Sequence, residues 1–243
     1  MRLADSLLTC LYLLCDSVRS KTLPLLVCLL PQPAWAGEVL AAWVREPRQA
    51  APLASGAGGS DREAAEDFGL APGQALHARF VTTAGSFSCR LAHEDAPVAV
   101  RAFVDLARGV RAWRDPRTGQ PTNRPLYDGT IFHRVIPGFM IQGGDPTGTG
   151  TGGPGFTLAD ENVSLSRFDG AGVLALATRG PNSGGSQFFI TDGAAHHLDG
   201  RYTVLGACSD LHVVTRIAEA PRGERDRPVR PVVLNRVEIT VGT

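Results

Sequence analysis

Apolar and polar residues alternate with a period of two in several short runs of the last two thirds of the chain. In Ser86–Leu91, Phe, Cys and Leu alternate with Ser, Ser and Arg, which is the pattern of a strand with one buried face. The run Ala78–Thr83 and the turn Ala84-Gly85 precede it, so the sequence predicts a β-hairpin there. A longer alternation, Val233–Val241, predicts the final strand.

Two segments show helical spacing instead. The first has Pro97 in its first turn and Gly109 at its end, and we expect Asp95 to cap it. The second follows Ser209 or Asp210, either of which is a suitable cap. The apolar faces, expected in the core, are Val100, Phe103, Val104 and Ala107, then Leu211, Val214, Ile217 and Ala218. Many short strands with only two helices predict a mainly β protein whose sheet closes into a barrel.

Residues 1–36 do not share this pattern. They contain two apolar runs, Leu7–Cys15 and Thr22–Leu30. Each run is shorter than the roughly 20 residues that a membrane-spanning helix needs, so we expect no stable membrane insertion. The first run has no evident role, and a true start at Val18 would give a leader of ordinary length.

The second run has the order of a secretory signal. Arg19 and Lys21 are positive, Leu23–Leu30 is apolar, and Ala34-Trp35-Ala36 is a small-x-small cleavage site. We therefore predict a periplasmic or secreted protein, cleaved after Ala36. A short anchor or a disordered leader is the alternative.

Residues 37–76 are rich in Ala, Gly, Pro and charge, and Gly56–Ser60 is typical of a flexible link. They predict a mostly disordered tether before a compact domain at 77–243. The alternative is a short docking element for a partner.

The composition excludes several classes of function. The 243-residue chain has 24 basic and 24 acidic residues and no net charge, which argues against a nucleic-acid partner. Its cysteines form no CxxC pair and no zinc-type spacing, so we expect no metal and read them as small apolar residues. Whether Cys89 and Cys208 pair stays open.

The stretch Tyr127–Phe156 contains the most distinctive chemistry. It places one cation, Arg134, among aromatic and apolar neighbours, followed by a turn, more apolar residues and the amide of Gln142. Such a surface suits a partly apolar peptide better than a phosphate. The glycines of Gly148–Gly153 match G-x-G-x-x-G, but Pro154 follows them where a dinucleotide site needs a helix. We therefore expect no cofactor.

A second stretch repeats the combination of amide and aromatic residues at Gln187 and Phe189. Together the two stretches resemble the cyclophilins, the peptidyl-prolyl cis-trans isomerases, over about residues 78–241. Three motifs carry the resemblance: FHRVIPGFMIQGGD from Phe132, GPNSGGSQFFI from Gly180 and LDGRYTVLG from Leu198.

The resemblance implies a closed barrel of eight antiparallel strands, capped by two α-helices, that binds proline-containing peptides and unfolded chains. It implies Arg134 as the catalytic residue and a proline pocket made by Phe139, Met140, Phe189 and Leu198. Gln142 and Gln187 match the polar residues that hold the substrate backbone, and Ala177 and Thr178 match a pair lining the groove. We expect the protein to act as a monomer.

The chain departs from the family pattern at three groove positions. Thr178 replaces a usual asparagine, His197 stands where many eukaryotic members have tryptophan, and Tyr202 stands where they have a second histidine. Because His197 has less apolar area than tryptophan, we expect cyclosporin A to bind weakly. His133, next to Arg134, is interpreted as a structural hydrogen-bonder and not as an acid or base.

Two alternatives to an enzyme follow from the same residues. A binding module would hold proline peptides without turning them over, but such a module would be expected to have lost one of Arg134, Phe139, Gln142 and Phe189. A chaperone or scaffold would act through residues 37–76, and deletion of that segment would separate it from an isomerase.

The signal-like order predicts the N-terminus of the mature protein. N-terminal sequencing of protein recovered from the native cell should begin at Gly37, because cleavage follows the small-x-small site. A mature chain that begins well upstream of Gly37 would contradict this prediction.

Overall fold

A computed structural model of the chain describes residues 68–242. The predictions for residues 1–36, and those for 37–67, lie outside the described residues. The strands are β1 (Ala75–Thr82), β2 (Gly85–Leu91), β3 (Trp113–Arg114), β4 (Pro121–Thr122), β5 (Thr130–Ile131), β6 (Arg134–Ile136), β7 (Met140–Gly143), β8 (Val173–Leu176), β9 (Phe188–Thr191), β10 (Val204–Cys208) and β11 (Val233–Gly242). The helices are α1 (Pro97–Arg108) and α2 (Leu211–Ala218), and three-residue 3₁₀ turns occur at Val163–Leu165, His196–Leu198 and Glu224–Asp226.

Both predicted helices are present, but neither has the expected side-chain cap at its N-terminus. In α1 the N-cap is Ala96, and Asp95 makes no capping bond. The carboxylate of Glu161 accepts the free N–H groups of Val98 and Ala99 instead, at 3.3 and 2.7 Å. In α2 Asp210 occupies the N-cap position, one of the two predicted, but its side chain makes no capping hydrogen bond. None of the helices in residues 68–242 is long and apolar enough to cross a membrane.

A single large sheet accounts for most of the fold. Its strands follow the order β5-β11-β1-β2-β10-β8-β9-β7-β6, and every neighbouring pair is antiparallel. The sheet curls around a core to which both helices contribute their apolar faces. The predicted mainly β class with two helices is therefore confirmed.

The prediction of a closed barrel of eight strands is wrong. The sheet has nine strands, and its edge strands, β5 and β6, are not hydrogen-bonded to each other. The reason lies in one short stretch of chain that changes partner. The N–H of Phe132 donates to Val232 O beside β11 at 3.1 Å, whereas the N–H of the next residue, His133, donates to Gln142 O on β7 at 3.0 Å. One continuous segment thus supplies both edges, and the curl forms a half-barrel.

The hairpin β3-β4 lies between α1 and β5. Its Trp113 is fully buried, and the indole N–H donates to Arg124 O at 2.8 Å. The Arg124 guanidinium lies over that indole ring and pairs with Asp115 at 2.7 Å. The buried indole and the Arg124–Asp115 ion pair therefore hold this hairpin in place within an otherwise polar segment.

A disulfide joins Cys89 on β2 to Cys208 on β10, 119 residues apart in the chain. The two residues are opposite each other in the antiparallel pair, and Cys89 is completely buried. The question of whether Cys89 and Cys208 pair, which the sequence left open, is thus answered, and the interpretation as small apolar residues is wrong for these two cysteines.

We expect reduction of this disulfide to lower the stability of the fold. A cross-link between distant residues restricts the unfolded chain, and loss of a native disulfide typically costs about 2–5 kcal/mol. Thermal unfolding with and without reductant measures the effect. The variant Cys208→Ser is the control. It cannot form the disulfide, so with or without reductant it should melt at the temperature of the reduced wild type. Equal melting of the oxidised and reduced wild type would contradict the prediction.

Candidate active site

The register of three strands brings the principal candidate residues to one face of the sheet. Arg134 on β6 is opposite Gln142 on β7, and Gln142 is opposite Phe189 on β9. Phe189 is in turn opposite Ala175 on β8. Residues opposite each other in an antiparallel sheet share a face. The row therefore presents a cation, an amide and an aromatic ring side by side.

This face carries an apolar cluster that is separate from the main core. Neighbouring positions on the same strands, Ile141, Phe188 and Ile190, belong to the main core, as the two-residue period requires. The buried members of the second cluster are Met140, Phe168, Ala175, Phe189, Ala195 and Leu198, with Phe139, Ala177 and Tyr202 partly buried against them. The four predicted pocket residues are thus together in a surface cluster with partly exposed members.

Aromatic contacts define the shape of this cluster. The Phe189 ring lies 5.7 Å from that of Phe168 and 5.3 Å from that of Tyr202, with the Tyr202 ring nearly perpendicular at 84°. The exposed ring of His197 lies 5.2 Å from the Phe139 ring. His197 and Tyr202 therefore border the apolar cluster. Phe168 is a member that sequence reasoning missed, since an isolated aromatic residue carries no local signal.

The two predicted glutamines lie in contact but differ in exposure. The Gln142 amide N–H donates to Gln187 Oε1 at 3.0 Å. The Gln187 amide N–H groups donate to Gly150 O and Gly152 O at 3.1 and 2.8 Å, and Gln187 is only 9% exposed. Gln187 therefore lies behind Gln142, where it fixes that side chain and has little hydrogen-bonding capacity for a ligand.

Asp145 organises the glycine-rich loop that Gln187 contacts. This fully buried carboxylate accepts N–H groups from Thr147, Thr149, Gly150 and Gly152 and the Thr147 hydroxyl. Burial alone would raise the pKa of Asp145, but the Thr147 hydroxyl and the backbone N–H groups together lower it below the ordinary value. The carboxylate is therefore ionised at neutral pH, and the loop is fixed around it.

A cleft of about 710 Å³ continues the groove beyond the glutamines. Ala177 and Thr178 line it, as predicted, together with the glycine-rich loop. Pro116 and Arg179 line its other parts. The ten residues predicted to contact substrate thus form two groups. Gln142, Ala177, Thr178 and Gln187 line the cleft. The other six belong to or contact the apolar cluster, and Ala177 also packs against that cluster.

Arg134 is half-exposed and ion-paired. Its side chain is 43% exposed, and its Nε lies 3.4 Å from Asp226 Oδ2. Asp226 was not among the predicted site residues, because it lies 92 residues away in a charged loop that has no motif.

His133 is almost fully buried at 6% exposure. Within residues 68–242 neither of its ring nitrogens has a hydrogen-bond partner, so the interpretation of His133 as a structural hydrogen-bonder is wrong for the ring. Burial lowers the pKa of His133; the charge of Asp145 opposes this, and the charges of Arg227 and Arg134 add to it. The imidazole is therefore held neutral at physiological pH.

One group of side chains has metal-ligand geometry in the part of the chain that the structure describes. Asp169, His196 and Asp199 each offer one ligand atom within 4.8 Å of the others. His196 and Asp169 are exposed, and His196 Nδ1 already faces Asp169 Oδ1 at 3.3 Å. These residues border the turn at Leu198 but include none of the predicted site residues.

Comparison with known proteins identifies the family. The family model described as cyclophilin type peptidyl-prolyl cis-trans isomerase/CLD matches residues 77–239. Peptidyl-prolyl cis-trans isomerase B of Streptomyces anulatus is 46% identical over 168 residues, which cover 68% of this chain and 96% of that protein. Peptidyl-prolyl cis-trans isomerase A of Mycobacterium tuberculosis is 44% identical over 162 residues, or 65% of this chain and 89% of that protein. The chain belongs to the cyclophilin-type peptidyl-prolyl cis-trans isomerase family.

Solved structures agree with this assignment. A Cryptosporidium parvum cyclophilin type peptidyl-prolyl cis-trans isomerase superposes with a TM-score of 0.59 at 31% identity, covering 68% of this chain and 98% of that one. A second crystal structure of that protein, determined in the presence of the dipeptide Ala-Pro, gives a TM-score of 0.58.

The buried imidazole predicts a pH dependence of stability. The unfolded chain binds a proton at His133 near the ordinary pKa of about 6.5, whereas the folded chain binds it only at lower pH. The unfolded state therefore takes up more protons as the pH falls below about 6.5, and the free energy of unfolding decreases in that window. Thermal melts between about pH 7 and 5 measure the decrease.

The variant His133→Gln removes the titrating group and should melt with a shallower pH dependence. The variant His212→Gln, at an exposed position on α2, is the matched control and should keep the wild-type slope. Parallel slopes for His133→Gln and wild type would contradict the assignment.

Proposed function

We propose that this protein catalyses cis-trans rotation about Xaa-Pro bonds of peptides and unfolded chains, with Arg134 as the catalytic residue. One observation carries the proposal. The register of β6, β7 and β9 places Arg134 and Gln142 beside Phe189, on the face that holds the apolar cluster. A cation and an amide beside an apolar pocket suit a proline ring and its preceding peptide bond.

The reaction requires stabilisation of a twisted amide and no nucleophile. Rotation breaks the C–N resonance, and the barrier is roughly 18–20 kcal/mol. When the bond twists, the nitrogen becomes pyramidal and regains a lone pair. A charged donor near that nitrogen stabilises the twisted state more than the planar state, which is the condition for catalysis. The planar guanidinium of Arg134 can supply this donor and hold the preceding carbonyl with the same fork.

The apolar cluster and Gln142 supply position and water exclusion. Phe139, Met140, Phe189 and Leu198 would surround the proline ring, and burial of that ring removes water from one side of the bond. Gln142 stands opposite Arg134 and would hold the substrate backbone. Gln187 would act through Gln142, because its own amide groups are used within the protein.

The family assignment supports a proline-containing ligand, as does the crystal structure of the Cryptosporidium parvum protein in the presence of the dipeptide Ala-Pro. Weak binding of cyclosporin A, a monomeric state and the lack of a nucleic-acid partner stay predictions. The exposed position of His197 beside Phe139 is compatible with the first of these.

We also propose that the protein acts outside the cytosol. The signal-like order of residues 19–36 motivates this, and the disulfide between Cys89 and Cys208 supports it, since disulfides persist in oxidising compartments. Alkylation of thiols in acid-quenched, denatured cells, without reductant, tests the proposal, because denaturation exposes the buried Cys89. Cys89 and Cys208 should be protected in the native host, and full alkylation of both would contradict export.

Replacement of Arg134 by alanine should lower kcat/KM by about two to three orders of magnitude. A preorganised donor that acts on developing charge is worth roughly 2.7–4 kcal/mol. Arg134→Lys should recover little of this, because lysine keeps the charge but loses the planar fork. Exchange of a short Xaa-Pro peptide, followed by NMR without a coupled protease, measures the rate.

The matched control is Arg79→Ala, which removes another exposed, ion-paired arginine, from β1. It should keep near wild-type activity. Melting temperatures of both variants show whether the fold survives. A folded Arg134→Ala protein with a near wild-type exchange rate would overturn the mechanism. A folded Arg134→Ala protein that still binds peptide but has the lowered exchange rate would agree with the mechanism.

A further inference from the structure

The carboxylate of Asp226 lies against the proposed catalytic arginine. Asp226 Oδ2 is 3.4 Å from Arg134 Nε, and its other oxygen, Oδ1, is 3.6 Å from Arg222 Nε. Among residues 68–242, Asp226 supplies the one carboxylate within ion-pair distance of Arg134. Each carboxylate oxygen thus faces a different arginine, and the contact with Arg134 is made through the Nε edge of its guanidinium.

The backbone around Asp226 is held in an unusual conformation. Arg225 and Asp226 both have a φ of 58°, in the left-handed region that residues with a Cβ rarely adopt. Such a conformation persists only where the surroundings hold it. Here Gly223 N–H donates to Arg227 O at 2.8 Å, and Arg227 N–H donates to Glu224 O at 3.2 Å.

The next residue attaches this turn to the glycine-rich loop. The Arg227 guanidinium donates to Gly148 O at 2.6 Å, within the glycine-rich loop that Asp145 organises. Consecutive residues of one turn therefore contact Arg134 and the loop behind Gln187. This double attachment fixes the carboxylate of Asp226 relative to the groove.

We propose that Asp226 is a positioning residue for Arg134. An arginine side chain that is 43% exposed has many rotamers in solvent, whereas a catalytic donor must be preorganised. Because the carboxylate engages Nε, it restrains the plane of the guanidinium, and the Nη groups make no hydrogen bond to Asp226. The inference rests on the proposed function, in which those Nη groups act on the substrate.

The opposite interpretation of the same contact is that Asp226 neutralises Arg134 and restrains it. The two interpretations predict opposite signs when the carboxylate is removed. Positioning predicts that Asp226→Asn lowers the rate, mainly through kcat, by about three- to tenfold, because displacement of a catalytic group reduces the rate while leaving the apolar pocket intact. Restraint predicts a faster enzyme.

The test is a double-mutant cycle on the full chain, with NMR exchange of an Xaa-Pro peptide as the assay. Asp226→Asn should lower kcat with little change in KM in the wild-type background, and it should have no further effect in the Arg134→Ala background. Glu224→Gln, which removes an equal charge from the same turn, is the matched control and should stay within twofold of wild type. A merely structural role of Asp226 would reduce activity equally in both backgrounds.

A measurement on wild-type protein adds a readout that needs no variant. The Nε–H proton of Arg134 should exchange with water more slowly than that of Arg230, an exposed arginine on the same loop. Equal exchange rates, unchanged or increased activity of Asp226→Asn, or equal losses in both backgrounds would each overturn the inference. If Arg134→Ala inactivates the protein while Asp226→Asn does not, only the positioning role fails and the proposed function stands.

Discussion

The pairing register of β6, β7 and β9 is the constraint on which the candidate site depends. Side chains alternate between the two faces of a strand, so a slip of one residue would turn Gln142 or Phe189 into the interior. The main core prevents this slip, because Ile141, Phe188 and Ile190 are completely buried on the opposite face. Burial of apolar side chains on one face thus determines which polar groups appear on the other.

Behind the row of strands, a buried charge fixes the glycine-rich loop. Asp145 is compensated by N–H groups of Thr147, Thr149, Gly150 and Gly152, which is why this carboxylate can be buried with no ion-pair partner among the residues that the structure describes. A glycine is needed at position 152 for this arrangement, because a Cβ at Gly152 would collide with the Asp145 carboxylate. The Gly150 and Gly152 carbonyl groups of this loop accept hydrogen bonds from the Gln187 amide, and Gln187 in turn accepts a hydrogen bond from Gln142.

Features encoded by neighbouring residues were predictable, and features that depend on distant contacts were not. Alternation predicted the hairpin and the last strand, and Pro97 and Gly109 predicted both ends of α1. Glu161 replaces Asp95 as the cap of that helix from more than sixty residues away, which no local pattern indicates. The predicted closed barrel of eight strands was wrong for a related reason. Phe132 and His133 are adjacent in sequence but bond to different strands, and no local pattern indicates that change of partner.

The candidate site divides along the same line between local and distant contacts. Met140 and Phe189 lie on strands and Phe139 directly precedes one, all within motifs that are continuous in the sequence, so the resemblance located these three residues together. Its charged part depends on a contact between β6 and a turn near residue 226, where the sequence of a charged loop gives no sign of a functional role.

Strands packed on a core tolerate little movement, whereas the sequence of a turn held by a few hydrogen bonds and ion pairs can change with less effect on the core. Under the proposed function, the apolar pocket assigned to the proline ring is part of the fold, whereas the orientation of Arg134 is assigned to its contact with Asp226 on the loop. On that proposal, sequence changes in residues 221–231 would alter the rate of rotation while the apolar pocket remains as it is.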